Sequence, residues 1–195
     1  MKVIDYLYKV IKSEIEFIPF SEPQKNDNKV YPNEIMDIIK KYGNNFMLNG
    51  QEIDIDLGYN DFGGLINRGI EISNDGAGNS WVIEVSPNQE CKAVYFCCHD
   101  PAILLKQSNS LIEFFQQIIE DELFLIEEEL VIPIKEIDTN LLNEFSLDDK
   151  SKLKEKVLVD LSSNMKVGQG FDWDKFGPRT TIIKHKSKEM WLLLK

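Results

Sequence analysis

The chain has 195 residues, of which 43% are hydrophobic and 10% aromatic, and its formal net charge is −11. These values fit one folded domain and exclude a disordered chain, which would hold fewer apolar and aromatic residues. The negative charge argues against nucleic-acid binding, because that affinity comes mainly from Lys and Arg displacing counterions. No apolar stretch has the length of a signal peptide or a membrane span, so we expect a cytoplasmic protein with no membrane partner.

The negative charge is concentrated in the middle of the chain. Residues 42–100 carry −7 and residues 101–149 carry −10, whereas residues 1–41 are neutral and residues 150–195 carry +6. An acidic middle would attract a basic protein partner and accelerate the encounter. The competing interpretation is that negative charge only keeps the protein soluble.

Two helices and a strand are predicted in the first third. Apolar residues at helical spacing predict an amphipathic helix over residues 2–15, and a Pro-rich polar loop follows at 19–33. A second helix is predicted over 33–42, with Gly43 as its stop. Residues 46–57 predict one strand, because apolar and acidic side chains alternate there. The two sides of this strand are Ile53, Ile55 and Leu57, and Glu52, Asp54 and Asp56.

The next unit predicts an antiparallel meander. Residues 58–69 are glycine-rich and predict an irregular segment with a short helical turn. Residues 70–73 and 81–85 are strand-like, and the Asn-Asp-Gly-Ala-Gly-Asn segment between them tolerates the positive φ angles of a tight reversal. Residues 93–98 predict a third strand, and three consecutive strands favour a meander.

A helix follows from Ser110, which forms a capping-box pattern with Glu113. Seven acids and no base lie between Glu113 and Leu130, and Pro133 cannot continue a helix. The predicted buried face of this helix consists of Leu111, Phe114, Phe115, Ile118 and Ile119.

The end of the chain predicts a basic helix over 148–163 and a closing hairpin formed by 180–185 and 190–194. The aromatics of the segment 171–176 fit either the core or an interface. Together these elements predict a single domain over 1–195 of the α+β class. Its architecture would be a mixed, mostly antiparallel sheet packed with helices, extended at its C-terminus by residues 134–195.

The sequence offers little for catalysis. It holds two histidines, His99 and His185. The nearest nucleophile arrangement is Cys97 or Cys98 with His99 and Asp100, but neighbours on a strand point to opposite faces and do not meet. We therefore expect no enzyme, and we interpret His99 and Asp100 as a strand end that bonds to backbone.

Metal and cofactor sites are not predicted either. The three cysteines lack C-x-x-C spacing, so zinc has no recognisable ligand set, and we expect reduced thiols. The segment 75–79 lacks the alternating oxygen ligands and closing Glu of a calcium loop. Its two glycines open no helix, so phosphate binding is unsupported and a hairpin turn is the better interpretation.

The candidate partner-binding residues are acidic, because a basic partner would contact carboxylates. The run at 120–129 is equally compatible with the solvated face of a helix. The candidates are Asp54, Asp56, Asp75, Glu120, Asp121, Glu127, Glu128 and Glu129.

Three short segments resemble the SUKH superfamily, in particular the branch of the Smi/Knr cell-wall assembly regulators. They are the strand–turn–strand unit Ile70-Glu-Ile-Ser-Asn-Asp-Gly-Ala-Gly-Asn-Ser-Trp-Val-Ile-Glu-Val85, the strand Ala93-Val-Tyr-Phe96 with His99-Asp100, and the helix start Ser108-Asn-Ser-Leu-Ile-Glu-Phe-Phe115. The resemblance extends over residues 70–119 and implies a family-like core at about 30–133.

The resemblance implies a mixed sheet packed with helices and no catalytic motif. Many bacterial members are thought to be immunity proteins that neutralise toxins of polymorphic or contact-dependent systems, which makes a basic toxin domain the leading partner. The alternative is a regulatory interaction module with an endogenous partner. A third hypothesis is an enzyme that uses His99 and Asp100.

Overall fold

A computed structural model gives the structure of the protein. The residues that it describes are 1–13, 15–24, 30–62, 66–123, 135–136, 157–160, 165–172, 181–184 and 191–193.

The described part of the chain holds three α-helices, α1 (Val3–Ile11), α2 (Asn33–Tyr42) and α3 (Leu111–Glu120). Each buries one apolar face, as the helical spacing predicts. The α2 helix ends at Gly43, whose φ of +85° is strained for a residue with a Cβ. The predicted helix ends are therefore confirmed within a few residues.

Half of the predicted capping box is present at the start of α3. The Ser110 hydroxyl accepts the backbone N–H of Glu113 at 3.2 Å. The Glu113 carboxylate does not return to Ser110, because it accepts the backbone N–H of Asn109 at 2.9 Å. The Glu113 carboxylate thus bonds the backbone N–H of the residue before the N-cap, whereas in the usual motif it bonds the N–H of the N-cap residue itself.

The first sheet has three antiparallel strands in chain order, β1 (Phe17–Pro19), β2 (Asn45–Leu48) and β3 (Gln51–Asp54). The prediction of one strand over 46–57 is wrong in its connectivity, since β2 and β3 form a hairpin. Asn49 and Gly50 make the turn with φ angles of +47° and +81°. Asn-Gly is the dipeptide that two consecutive positive φ angles favour.

The same turn connects the first sheet to α3. The side-chain amide of Asn49 donates to the carbonyl oxygens of Ile118 and Ile119 at 3.0 and 3.1 Å. These carbonyls lie in the last turn of α3, where few intrahelical donors remain, and the Ile118 carbonyl also accepts the backbone N–H of Asp121 at 3.3 Å.

The second sheet has six strands, and each neighbouring pair is antiparallel. The predicted meander is confirmed, and the sheet extends beyond it on both sides. Residues 60–62 form a strand where a helical turn was expected, and residues 102–108 add a strand that the sequence did not indicate. In sheet order the strands are β11 (Gly170–Asp172), β8 (Ala102–Ser108), β7 (Cys91–His99), β6 (Ser80–Val85), β5 (Ile66–Asn74) and β4 (Asn60–Phe62).

Residues from the predicted C-terminal extension contribute to this second sheet. The edge strand β11 pairs with β8, with Gly170 opposite Leu105. The extended backbone of β8 therefore gains hydrogen-bond partners on both of its edges.

A third, mixed sheet contains four strands, which in sheet order are Thr181–Lys184 (β12), Val157–Asp160 (β10), Trp191–Leu193 (β13) and Lys135–Glu136 (β9). The predicted helix over 148–163 is wrong at Val157–Asp160, which form strand β10, and the rest of that helix lies outside the described residues. Its two valines are β-branched and fit a pleated strand better than a helix.

The predicted closing hairpin is also wrong. Both of its strands exist, but β10 lies between them, parallel to β12 and antiparallel to β13. A sequence-distant strand between two neighbours in the chain cannot be inferred from the turn residues alone.

The hydrophobic core combines the three helices with the first two sheets. Phe46, Phe114 and Phe115 are its largest fully buried side chains. Burying each contributes roughly 1.5–3 kcal/mol. A buried amide ladder completes the core, since Trp81 Nε1 donates to Gln107 (3.2 Å) and Gln107 Nε2 donates to Gln117 (3.0 Å). The α+β class with a mostly antiparallel sheet is therefore confirmed.

Candidate functional site

A cleft of about 410 Å³ lies where the first sheet meets strand β5. Its lining residues are mostly acids and amides, with two apolar residues among them. We call it the acidic cleft, and its lining residues are Gln24, Asn44, Asp54, Ile55, Asp56, Leu57 and Glu71.

The backbone places two predicted candidates in this cleft. Ile53 and Ile55 are buried in the core, and the alternation of an extended chain turns Asp54 and Asp56 to the opposite side. The N–H of Ile55 donates to the Asn44 carbonyl at 2.8 Å, and the N–H of Asp56 donates to the carbonyl of Glu71 at 3.0 Å. These bonds hold the two residues that follow β3 between Asn44 and strand β5.

The third carboxylate, Glu71, was not among the predicted candidates. It lies on β5 between the buried Ile70 and Ile72, and its Oε2 accepts a hydrogen bond from the Ser80 hydroxyl at 2.9 Å. The alternation Ile-Glu-Ile predicts that the side chain of this acid points away from the core. Only the packing of β5 beside β3 shows that it reaches the same cleft as Asp54.

Negative charge accumulates in the acidic cleft. Burial raises the pKa of Asp54, and the neighbouring charges of Glu52 and Asp56 raise it further. Among the described residues, no Lys or Arg forms an ion pair with Glu52, Asp54, Asp56 or Glu71. Bringing a cation close to these groups would therefore be favourable.

Amide contacts orient polar side chains in the cleft and beside it. Gln24 Nε2 donates to Asn44 Oδ1 at 3.1 Å, and Asn45 Nδ2 donates to Glu52 Oε1 at 3.1 Å. Asn45 Oδ1 is buried and accepts no hydrogen bond in the described structure. Side chains restrained in this way lose less rotamer freedom when a ligand arrives.

The other predicted acids lie elsewhere. Asp75 is at the β5–β6 turn, where its carboxylate accepts hydrogen bonds from Ala77 and Asn79. Glu120 is the last residue of α3, and Asp121 caps that helix with a φ of +56°. None of the three lines the acidic cleft. Glu127, Glu128 and Glu129 lie outside the described residues.

The histidine predicted at a strand end makes structural contacts there. The backbone N–H of His99 donates to Asn79 Oδ1 at 3.1 Å, and its Nδ1 lies 2.8 Å from the same oxygen. The thiol of Cys97 is an unsuitable nucleophile, because burial and the charge of Glu71 raise its pKa. Burial likewise raises the pKa of Cys91, with a further contribution from Glu34.

The regions that the structure describes hold neither a recognisable metal centre nor a helix that could span a membrane. No group of three or more His, Cys, Asp and Glu side chains there is arranged to hold a metal ion. None of the helices in those regions is long and apolar enough to cross a membrane. Comparison with protein-family models, curated proteins and solved structures finds no match to this chain.

Proposed function

We propose that this chain is a non-catalytic protein-binding domain that receives a basic segment of its partner in the acidic cleft. One observation carries the proposal. Asp54, Asp56 and Glu71 line the same cleft, and no cationic side chain of the described residues neutralises them. Such a site attracts Lys and Arg side chains, and the electrostatic attraction is strongest for cations that lose part of their hydration water on binding.

The resemblance of residues 70–119 to the Smi/Knr branch suggests what the partner is. We propose an immunity protein that neutralises the cognate toxin of a bacterial polymorphic or contact-dependent system. Toxin enzymes that act on nucleic acid need basic surfaces, because their substrates are polyanions. An acidic cleft would compete with such a substrate for the same surface.

The test is affinity capture from native-host lysate with three baits. They are the wild-type chain, the cleft variant Asp54→Asn/Asp56→Asn/Glu71→Gln, and a control variant Glu120→Gln/Asp121→Asn/Glu122→Gln. The two variants lose the same number of charges, but the control loses them at the end of α3. The captured protein is identified by mass spectrometry, and its affinity for each bait is then measured at low and high salt.

We expect the cleft variant to lose at least about tenfold in affinity and most of the salt dependence, whereas the control keeps both. A partner that is toxic when expressed alone, and harmless when this chain is co-expressed, identifies an immunity protein. A partner without toxicity would favour the regulatory module. Equal affinity of all three baits would contradict a role for the acidic cleft.

A further inference from the structure

One face of the three-stranded sheet points away from the core and carries both apolar and acidic side chains. Phe46, Leu48 and Ile53 of this sheet are fully buried toward the core. The alternating positions therefore point away from the core, and the pairing register aligns them in two rows across the three strands. We call this surface the outer face, and its rows are Ile18, Met47 and Glu52, and Phe20, Asn45 and Asp54.

Phe20 belongs to the second row although it follows the last residue of β1. Its backbone N–H donates to the carbonyl of Asn45 at 3.0 Å, which continues the pairing of β1 with β2. It lies two positions after Ile18, so both side chains lie on the same side of the strand.

Apolar groups are concentrated at one edge of the outer face. The exposed fraction is 44% for Ile18 and 52% for Phe20, and Met47 beside them is half-buried. Single exposed apolar residues are common, but adjacent ones on a strand edge mark a surface that gains from being covered.

Acidic groups occupy the opposite edge of the outer face. Glu52 and Asp54 end the two rows on β3, about 10 Å from β1 across three strands. Asn45 Nδ2 holds Glu52, whereas Asn45 Oδ1 is buried without a hydrogen-bond donor. Asp54 also lines the acidic cleft, so the outer face and the cleft are continuous at this residue.

We propose that the outer face is the docking surface for an extended, arginine-bearing segment of the partner protein. The guanidinium groups of this segment bind Glu52 and Asp54, and the aliphatic stems of its arginine side chains pack on Met47 and Ile18. This inference rests on the proposed function and extends it from a cleft to a whole sheet face. The charge complementarity identifies the occupant, because an apolar edge alone would accept any hydrophobic chain.

Arginine fits this surface better than lysine for two reasons. Its planar guanidinium donates two parallel hydrogen bonds to one carboxylate, whereas an ammonium acts as a point charge. It is also more weakly hydrated, so it leaves water at a smaller cost. The raised pKa of Asp54, caused by burial and then by Glu52 and Asp56, agrees with a site that favours a cation.

The experiment is a titration of the ¹⁵N-labelled chain with three peptides, monitored by two-dimensional NMR. The peptides are acetyl-(Arg-Thr)₃-amide and its counterparts with Lys or Gln in place of Arg. Alternation places the three basic side chains on one side of an extended peptide. We expect the amides of Ile18, Met47, Glu52 and Asp54 to shift with the Arg peptide, which should bind about fivefold more tightly than the Lys peptide.

Variants separate the outer face from the acidic cleft. Ile18→Ser combined with Met47→Ser should lower the affinity for the Arg peptide about fivefold or more, because the aliphatic stems of its arginine side chains lose apolar contact. Val30→Ser, which changes another exposed apolar residue (56% exposed), should leave the affinity unchanged. Spectra of the free variants show whether each retains the fold. If the Ile18/Met47 double variant unfolds, Met47→Gln alone replaces it, with the same expected direction.

Several results would overturn the proposal. Shifts confined to Asp56 and Glu71, with no loss of peptide affinity in the outer-face variants, would show that the basic peptide binds in the acidic cleft alone. That result would preserve the proposed function. Shifts confined to Glu120–Glu122, or none with any peptide, would remove the outer face as a binding surface. Shifts of the outer face that depend on protein concentration alone would assign it to a second copy of this chain.

Discussion

Asp54 in the acidic cleft and Asp75 at the β5–β6 turn are both acids that the sequence marks as candidates, but the fold holds them differently. Asp75 accepts the backbone N–H groups of Ala77 (2.9 Å) and Asn79 (3.1 Å) and the side-chain amide of Asn79 (2.6 Å). The carboxylate of Asp54 accepts no hydrogen bond and forms no ion pair within the described residues. One carboxylate is satisfied by its own turn, and the other is available to a ligand.

The pKa values of the two acids shift in opposite directions. Desolvation raises the pKa of Asp75, but the hydrogen bonds from Asn79 and Ala77 outweigh it, so the pKa lies below its ordinary 3.8. Burial, Glu52 and Asp56 raise the pKa of Asp54. Net charge therefore does not distinguish a structural acid from a candidate binding acid, whereas the local hydrogen-bond donors do.

The largest effect should come from the backbone that supports the cleft. A Cβ on Gly43 would lie 2.6 Å from the Ser21 carbonyl oxygen, at a φ of +85°. We expect Gly43→Ala to lower the free energy of unfolding by about 2–4 kcal/mol, from conformational strain and overpacking combined. Urea denaturation measures this change.

Gly50→Ala is the matched control for Gly43→Ala. Its φ of +81° is similar, but a Cβ there would meet no atom within 4 Å. It should cost only the conformational term, about 1–2 kcal/mol. Equal losses in the two variants would show that contact with Ser21 does not constrain the cleft.

The next effect tests the two acids directly. Asp75→Ala should lower the free energy of unfolding at pH 7 by about 1–2 kcal/mol, because three hydrogen bonds are lost at an exposed turn. Asp54→Ala should change it by no more than about 0.5 kcal/mol or raise it. Thermal and urea unfolding of both variants beside the wild type measure the difference, and equal destabilisation would contradict the comparison.

The pH dependence of these two variants should also differ in sign. The stability that Asp75 contributes is present above its ordinary pKa of 3.8 and is lost as pH falls through its lower folded pKa. The deficit of Asp75→Ala should therefore shrink in acid. The raised folded pKa of Asp54 disfavours its charged form, so any gain in Asp54→Ala should be present at neutral pH and vanish in acid. Unfolding curves between pH 2 and pH 7 (on the order of five points) would check both signs.

The smallest effect concerns the coupling inside the acidic cluster. Glu52→Gln should lower the pKa of Asp54 toward its ordinary value, because one neighbouring negative charge is removed. Burial is the larger cause and remains, so the pKa should stay raised. Carboxyl-carbon NMR titration follows Asp54 directly. An unchanged pKa would mean that Glu52 and Asp54 are not close enough to form one binding edge.

Local patterns predicted the elements whose geometry is set by neighbours in the chain. The helices follow from apolar residues at 3.6-residue spacing, and the β5–β6 hairpin follows from Asn, Asp and Gly at its turn. The Asn49-Gly50 dipeptide is an equally clear turn signal, but the alternation around it predicts one continuous strand. The sequence of strand β10 predicts a helix, because its apolar residues and their neighbours fit a helical period as well as a buried strand. These residues are Leu153, Val157, Leu158 and Leu161.

What the sequence by itself determined was the α+β class, the core faces of the helices and the outward direction of Asp54 and Asp56. The tertiary structure alone decided that Glu71 joins these two acids, that β11 pairs with β8, and that β10 separates β12 from β13. The physical reason is the range of the interactions. Side-chain periodicity and turn conformation depend on residues a few positions apart, whereas strand order and a shared cleft depend on which distant surfaces bury the most apolar area together.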